Sequence, residues 1–313
     1  MFVCLASVRD VYLGGLFQHQ SPLTVAIIAF GVCSAIFLPI ALARSRGALR
    51  TLLRRPGDLF WVNATSAFAW IAFFYALRMA EPLLVQILFS GIGPLSVVWI
   101  DRLVLGHRLP VALSRPERRT HAGLIASLVG ASVVALGGLS GMAQEAPGAA
   151  LLGVALAACA GISISANTVL CRELNDAGVD PVALVSVRFI GTLTVAVVLA
   201  LATGTGAVGV FPTNADGGVG GVSSTSVITI ALASLALIVF PIYVNQVAIS
   251  LASPLTVRVV LAVGPVLIFL LQLADGRLSP SPYSLAAAVL YGVSALSTTL
   301  ARHRAIRAPS IAP

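Results

Sequence analysis

Arg9, Asp10, Arg188 and Arg258 each stand inside a run of apolar residues, where an ionisable side chain is expensive and marks a candidate functional position. A guanidinium offers a planar fork of donors that fits a carboxylate or a phosphate. A carboxylate such as Asp10 can take up and release a proton, and Glu81 is the second candidate for that role. Arg9 and Asp10 are neighbours on a helix and diverge by about 100°, so each is expected to find its partner on another helix. Gln86 and Arg258 occupy aligned places in the two halves of the chain and are expected to converge. Asn63, Trp70 and Tyr75 fall broadly on one helical face, with Trp70 away from the interfacial belt that Trp favours. Asn167 is a further candidate for a cavity wall. Tyr243, Asn245 and Gln246 close the eighth apolar run as a gate or an interface cap. Arg78 and Glu81, three residues apart, are placed to pair with each other, while Asp101 and Arg102 close the fourth run as a structural pair. No catalytic or metal-binding set emerges, and no cofactor is called for.

These residues need elements to hold them, and composition says what those elements are. The chain has 313 residues, 58% hydrophobic and 10% charged, with a mean hydropathy of +1.00. Soluble chains carry about 25% charged residues, so the main solvent here is lipid and a soluble enzyme is excluded. The +8 net charge does not signal nucleic acid, because the basic residues are arginines grouped between apolar runs. Cys4, Cys33, Cys159 and Cys171 have no metal-ligand spacing and read as small buried hydrophobes. The N-terminus has neither a basic region nor a small-residue cleavage site, so no removable signal peptide is expected.

A bilayer core needs about 20 apolar residues per helix. That ruler gives ten candidate spans: 2–17, 22–43, 59–78, 82–104, 121–140, 149–171, 181–203, 225–243, 254–273 and 283–301. The first is short. Arginines cluster in 44–58, in 105–120 and after 301, whereas 141–148 and 204–224 contain none. By the positive-inside rule both termini are cytoplasmic.

The halves echo each other. Pro82 to Pro110 and Pro254 to Pro280 both open Pro-Leu, reach Gly-Pro after about a dozen residues and close on Arg-Leu before a proline. Leu16 to Leu23 and Leu174 to Val182 form a second pair. Spans one to five thus match spans six to ten, and because five is odd the second set is inverted. The expected fold is an all-α polytopic membrane protein with ten transmembrane helices as two inverted five-helix repeats, residues 1–143 and 144–313. Gly93-Pro94 and Gly264-Pro265 lie mid-span, where proline loosens a helix, and are candidate hinges. Gly130, Gly137 and Gly138 are candidates for close helix packing in the fifth span.

The sequence resembles the drug/metabolite transporter superfamily, in particular its EamA-type ten-helix transporters. The resemblance is carried by Gly93-Pro94 with Leu105-Gly106-His107-Arg108-Leu109, by Gly264-Pro265 with Asp275-Gly276-Arg277-Leu278, and by Val187-Arg188-Phe189. His107 stands where that family has a glutamate. The resemblance implies a proton-coupled antiporter that exports amino acids or related metabolites across a bacterial inner membrane.

The sequence itself contains no Walker loop and no HExxH or GxSxG motif, which leaves a gradient-driven transporter ahead of an enzyme. Its expected partners are a small-molecule substrate, the lipid bilayer and a proton, not nucleic acid. Arg188 and Arg258 suit an anionic or zwitterionic substrate. A drug or sugar-phosphate exporter of the same fold and a non-transporting scaffold are the alternatives, and assembly as a monomer or a homodimer is left open. The orientation is testable: a green fluorescent protein fused at either terminus should fluoresce, and alkaline phosphatase there should be inactive. Active phosphatase at either end would overturn it.

Overall fold

A computed structural model of the chain describes residues 2–17, 19–104, 115–141, 147–204, 224–261, 263–276 and 281–307. All regular structure in these residues is helical: α1 (Phe2–Leu16), α2 (Pro22–Arg44), α3 (Arg46–Leu53), α4 (Pro56–Met79), α5 (Pro82–Val104), α6 (Arg115–Leu136), α7 (Pro147–Asp176), α8 (Pro181–Arg188), α9 (Ile190–Thr203), α10 (Ser224–Ser234), α11 (Phe240–Leu251), α12 (Pro254–Leu261), α13 (Gly264–Asp275) and α14 (Pro282–Arg307). A wide π turn, Leu235–Val239, joins α10 to α11.

Proline sets where many of these helices begin. Pro22, Pro56, Pro82, Pro147, Pro181, Pro254 and Pro282 each occupy the first helical position, where a missing N–H costs nothing and the fixed φ suits the helix. Asp180 adds a side-chain cap, accepting from the Val182 and Ala183 amides at 2.8 and 3.0 Å. At the other end of a helix, Gly138 takes a left-handed φ of 65°.

Eight helical stretches are long and apolar enough to cross a bilayer: Pro22–Arg44, Pro56–Met79, Arg118–Leu136, Gly148–Asp176, Pro181–Thr203, Val227–Leu251, Pro254–Asp275 and Pro282–Ala301. The protein is a multi-pass helical membrane protein, and a lipid bilayer is its solvent. α1 has 15 residues, about 22 Å at the helical rise, short of a bilayer core. α5 has 23 residues, about 34 Å.

Several sequence expectations are corrected here. The seventh and ninth spans are each two helices, with the breaks at Phe189 and before Gly264. The eighth runs on to Leu251 through the π turn. The fifth stops at Leu136 because Gly137 and Gly138 form the turn that ends it, so these two glycines terminate a helix instead of packing one. The arginine-rich 44–58 segment folds into α3, which buries Leu49 and Leu52. Cys4 and Cys159 are exposed, unlike buried Cys33 and Cys171. The Leu105–Leu109 and Arg277–Leu278 motifs and the 205–223 stretch lie outside the described residues, as do the side chains of Asp101 and Arg102.

α4 and α5 both pack along α7, α6 pairs with α14, α2 lies against α8 and α9, and α1 lies against α13. The main apolar core, with Phe17, Phe30, Phe73, Phe74 and Phe189, joins α1, α2, α4, α7 and the α8–α9 break. The α5–α7 crossing is close because of Gly161, where an added Cβ would lie 2.5 Å from the Phe89 carbonyl oxygen and would also meet Ile92. Gly161→Ala should therefore cost about 1–3 kcal/mol, seen as a lower Tm in detergent. Gly57→Ala, whose Cβ meets nothing within 4 Å, should leave Tm unchanged or raised; equal behaviour of the two variants would refute the account.

Candidate functional site

Arg188 and Arg258 are both 2% exposed. Each occupies the last turn of a short helix, α8 and α12, immediately before or near a break. The carbonyl-rich end of a helix is partly negative and favours a cation there. Arg188 donates from Nη1 to Gln246 Oε1 at 3.0 Å and from Nε to Ser66 Oγ at 3.4 Å. Its guanidinium stands 5.1 Å from the Phe189 ring centroid. Arg258 donates from Nη2 to the Phe89 carbonyl at 3.1 Å and lies 5.5 Å from the Phe89 ring centroid. Its Nε has no hydrogen-bond partner among the described residues. Nor does either arginine have a carboxylate partner among them.

Arg9 and Asp10 form the third buried charged group, with Asp10 fully buried and Arg9 6% exposed. Contrary to the expectation from helical divergence, they bond each other: Nε and Nη2 both reach Asp10 Oδ1 at 2.6 Å. The 100° argument concerns Cβ directions, and the long arginine side chain curls back across them. Asp10 Oδ2 keeps no partner among the described residues. The Arg9 guanidinium also lies 5.1 Å from the Trp70 and 5.8 Å from the Phe73 ring centroid.

Aromatic rings connect the three charges. Phe189 stacks on Phe30 at 4.9 Å, and Phe30 meets Trp70 at 5.5 Å. On the other side of Arg9, Phe73 lies 4.5 Å from Phe89. A strip of rings therefore runs from Arg188 past Arg9 to Arg258. Cations over ring faces are attracted by the ring quadrupole, more strongly when water is excluded.

The remaining expected site residues divide. Gln86 donates to Ser90 Oγ at 2.9 Å, its Oε1 has no partner among the described residues, and its Nε2 lies by Gly264, where α1, α5 and α13 meet. Ser7 of α1 also donates to the Gly264 carbonyl, at 3.2 Å. Gly93 leaves the space that the Arg258 guanidinium fills, since an added Cβ would lie 2.7 Å from Nη2. α5 runs through Pro94 unbroken, whereas Pro265 stands at the start of α13. Trp70 belongs to the strip, and Tyr75 packs at the edge of the same core.

Asn167 and Asn63 both bond neighbouring helices. Asn167 donates to the Val62 carbonyl at 2.8 Å and Thr65 Oγ1 at 3.0 Å, tying α7 to α4. Asn63 Oδ1 accepts the Gly191 amide at 2.8 Å and so caps α9. Gln246 is no interface cap, since it is buried against Arg188, and Tyr243 stacks on Phe37. The expected Arg78–Glu81 pair does not form. Arg78 is exposed, and Glu81 Oε2 accepts from Ser284 Oγ at 2.7 Å and the Gly141 amide at 3.1 Å.

Ser66, Phe30, Phe73 and Phe89 escaped the sequence reading. Helical spacing from Trp70 would have found Ser66 and Phe73; nothing local marks Phe30 or Phe89.

No family model matches the chain, and no curated protein matches it. It is similar to a solved structure described as "Crystal structure of protein", at 20% identity and a TM-score of 0.65, over 97% of this chain and 96% of that one. That likeness establishes a shared fold.

Glu81 lies between α4 and α5, and its burial pushes the carboxyl above the ordinary carboxylate range, with the Ser284 and Gly141 hydrogen bonds opposing. A carboxyl raised by folding stabilises the fold fully below its unfolded pKa, near 4.5, and that contribution is lost as pH rises through the raised value. The Tm of wild type minus that of Glu81→Gln should therefore fall between about pH 4 and 8. A difference that stays flat or rises would refute it.

Proposed function

We propose that this chain is a secondary active transporter. It exports small metabolites such as amino acids or related compounds across the bacterial inner membrane by alternating access, driven by a proton or substrate gradient. The observation that carries the reading is the pair of buried guanidiniums, Arg188 and Arg258, with no carboxylate partner among the described residues. A scaffold has no use for uncompensated charge in a bilayer, whereas a carrier of anions or zwitterions needs fixed donors there.

The ten-span, inverted-repeat reading, and with it the EamA-type resemblance, draws support from how the helices pair. If the spans of residues 1–143 are exchanged in order for those of 144–313, the α4–α9 contact maps onto α2–α10, α5–α6 onto α13–α14, and α5–α7 onto α1–α13, and all of these contacts occur. The broken seventh and ninth spans fit the interrupted helices that transporters place at substrate sites. Sugar phosphates are the main rival cargo, since phosphate suits the same guanidinium forks.

The test is flux from preloaded vesicles for labelled amino acids, other carboxylates, sugar phosphates and cationic drugs, with and without a pH gradient. Anionic or zwitterionic cargo should move. Arg188→Gln and Arg258→Ala should each lower flux about 10- to 100-fold, the weight of a charged hydrogen bond. Flux restricted to cationic drugs would overturn the anionic cargo, flux undiminished in both variants would move the site away from the two arginines, and no flux for any compound would overturn the transporter in favour of the scaffold.

A further inference from the structure

The Arg9–Asp10 pair is a peculiar way to bury two charges. Arg9 bonds Asp10 through one carboxylate oxygen, Oδ1, while Oδ2 is buried without a partner among the described residues. Arg9 does not depend on Asp10 alone, because its guanidinium also rests near Trp70 and Phe73. The ring faces can keep the guanidinium in place when its acidic neighbour lets go.

From this geometry we infer that Arg9 is the anion-binding residue of the carrier and that a substrate carboxylate competes with Asp10 for it. The inference rests on the transporter reading above and specifies its cargo and coupling. The incoming carboxylate accepts the Arg9 N–H donors, and the Asp10 oxygen that gave them up takes one proton from solvent. The site thus stays neutral overall, and no charge is left uncompensated in the bilayer. Proton and carboxylate bind in support of each other, and by linkage each strengthens the other equally. An outward carboxylate gradient then carries a proton out with it, the opposite of an antiport in which the two exclude each other.

Among the described residues, Arg9 is the charged group bonded to Asp10. α1 packs against α4, α5, α11, α13 and the π turn. Their described titratable groups are Asp58, Tyr75 and Arg78 on α4, Tyr243 on α11 and Asp275 on α13. Glu81, just before α5, is bonded to Ser284 and Gly141. Cys4 and Tyr12 share α1. The charge acting on Asp10 is Arg9.

The protein contains its own reporter. Of its three tryptophans, Trp61 and Trp99 are 58% and 63% exposed, so both can become phenylalanine at outward-facing positions, leaving Trp70 beside Arg9. With the full chain in lipid nanodiscs, benzoate binding is followed by Trp70 emission between about pH 6 and 9, where benzoate is ionised, with benzamide as the neutral control. Benzoate affinity should rise about tenfold for each unit of pH lowered, as one linked proton requires. Asp10→Asn, a permanently neutral neighbour, should bind benzoate tightly with no pH slope, and benzamide should not bind. Affinity that is flat with pH in the Trp70-only chain overturns the inference, as does the same slope in Asp10→Asn or no benzoate binding at any pH. If Asp10→Asn does not fold, the slope with Asp10 intact still decides. Vesicle flux is a separate readout. Arg258-dependent flux with a flat titration removes this inference and keeps the transporter, and a sloped titration in a chain that moves no solute does the reverse.

Discussion

A guanidinium that leaves water for a bilayer has to be solvated by the protein carrying it, and that requirement organises the interior of this one. Each buried arginine is provided for in the same two ways, by ring faces and by oxygen acceptors. Arg188 and Arg258 add a third means, the electronegative end of a short helix. The chain obtains those ends by interrupting the seventh and ninth spans. α2 and α5, which carry no arginine in their apolar middles, run unbroken. At Arg188 and Arg258, charge and helix break thus go together.

This division also explains the aromatic strip. Rings are the one large side chain that packs in an apolar core and still offers an electron-rich surface to a cation. Phe30, Phe73, Phe89 and Phe189 come from α2, α4, α5 and the α8–α9 break, so the strip exists only when the helices of both halves are assembled. The small residues have a complementary part. Gly93 and Gly161 lie on α5 and α7, and the space they leave lets the Arg258 guanidinium and the neighbouring backbone approach.

Much of this was legible in the sequence. Membrane-length apolar runs, proline-marked starts and the isolated charges Arg9, Asp10, Arg188 and Arg258 are all visible as residue types in context. The partners were not. Arg9 was assigned to another helix because spacing gives Cβ directions and says nothing of how far a flexible arginine reaches. Asn167 was read as a cavity polar, yet it spends its amide on a neighbouring backbone carbonyl and a hydroxyl, a choice that only tertiary packing makes. Glu81 looked like the mate of Arg78 by spacing on one helix. Instead the chain turns between them, and a distant serine on α14 takes the carboxylate.

The π turn before α11 has a consequence of its own. Phe240 N–H reaches back five residues to the Leu235 carbonyl, so the helix accommodates one more residue there than an α-helix would. That extra residue acts as a phase shift of about 100° for everything that follows it. Gln246, two turns further on, faces Arg188 only because of that shift. The orientation of a group buried in the centre of the protein is thus set by the count of residues in a stretch of plain aliphatic chain, Leu-Ala-Leu-Ile-Val, whose side chains never touch it by charge. In this part of the molecule the length of the segment carries the orientation, while Ile238 and Val239 anchor it in the apolar core.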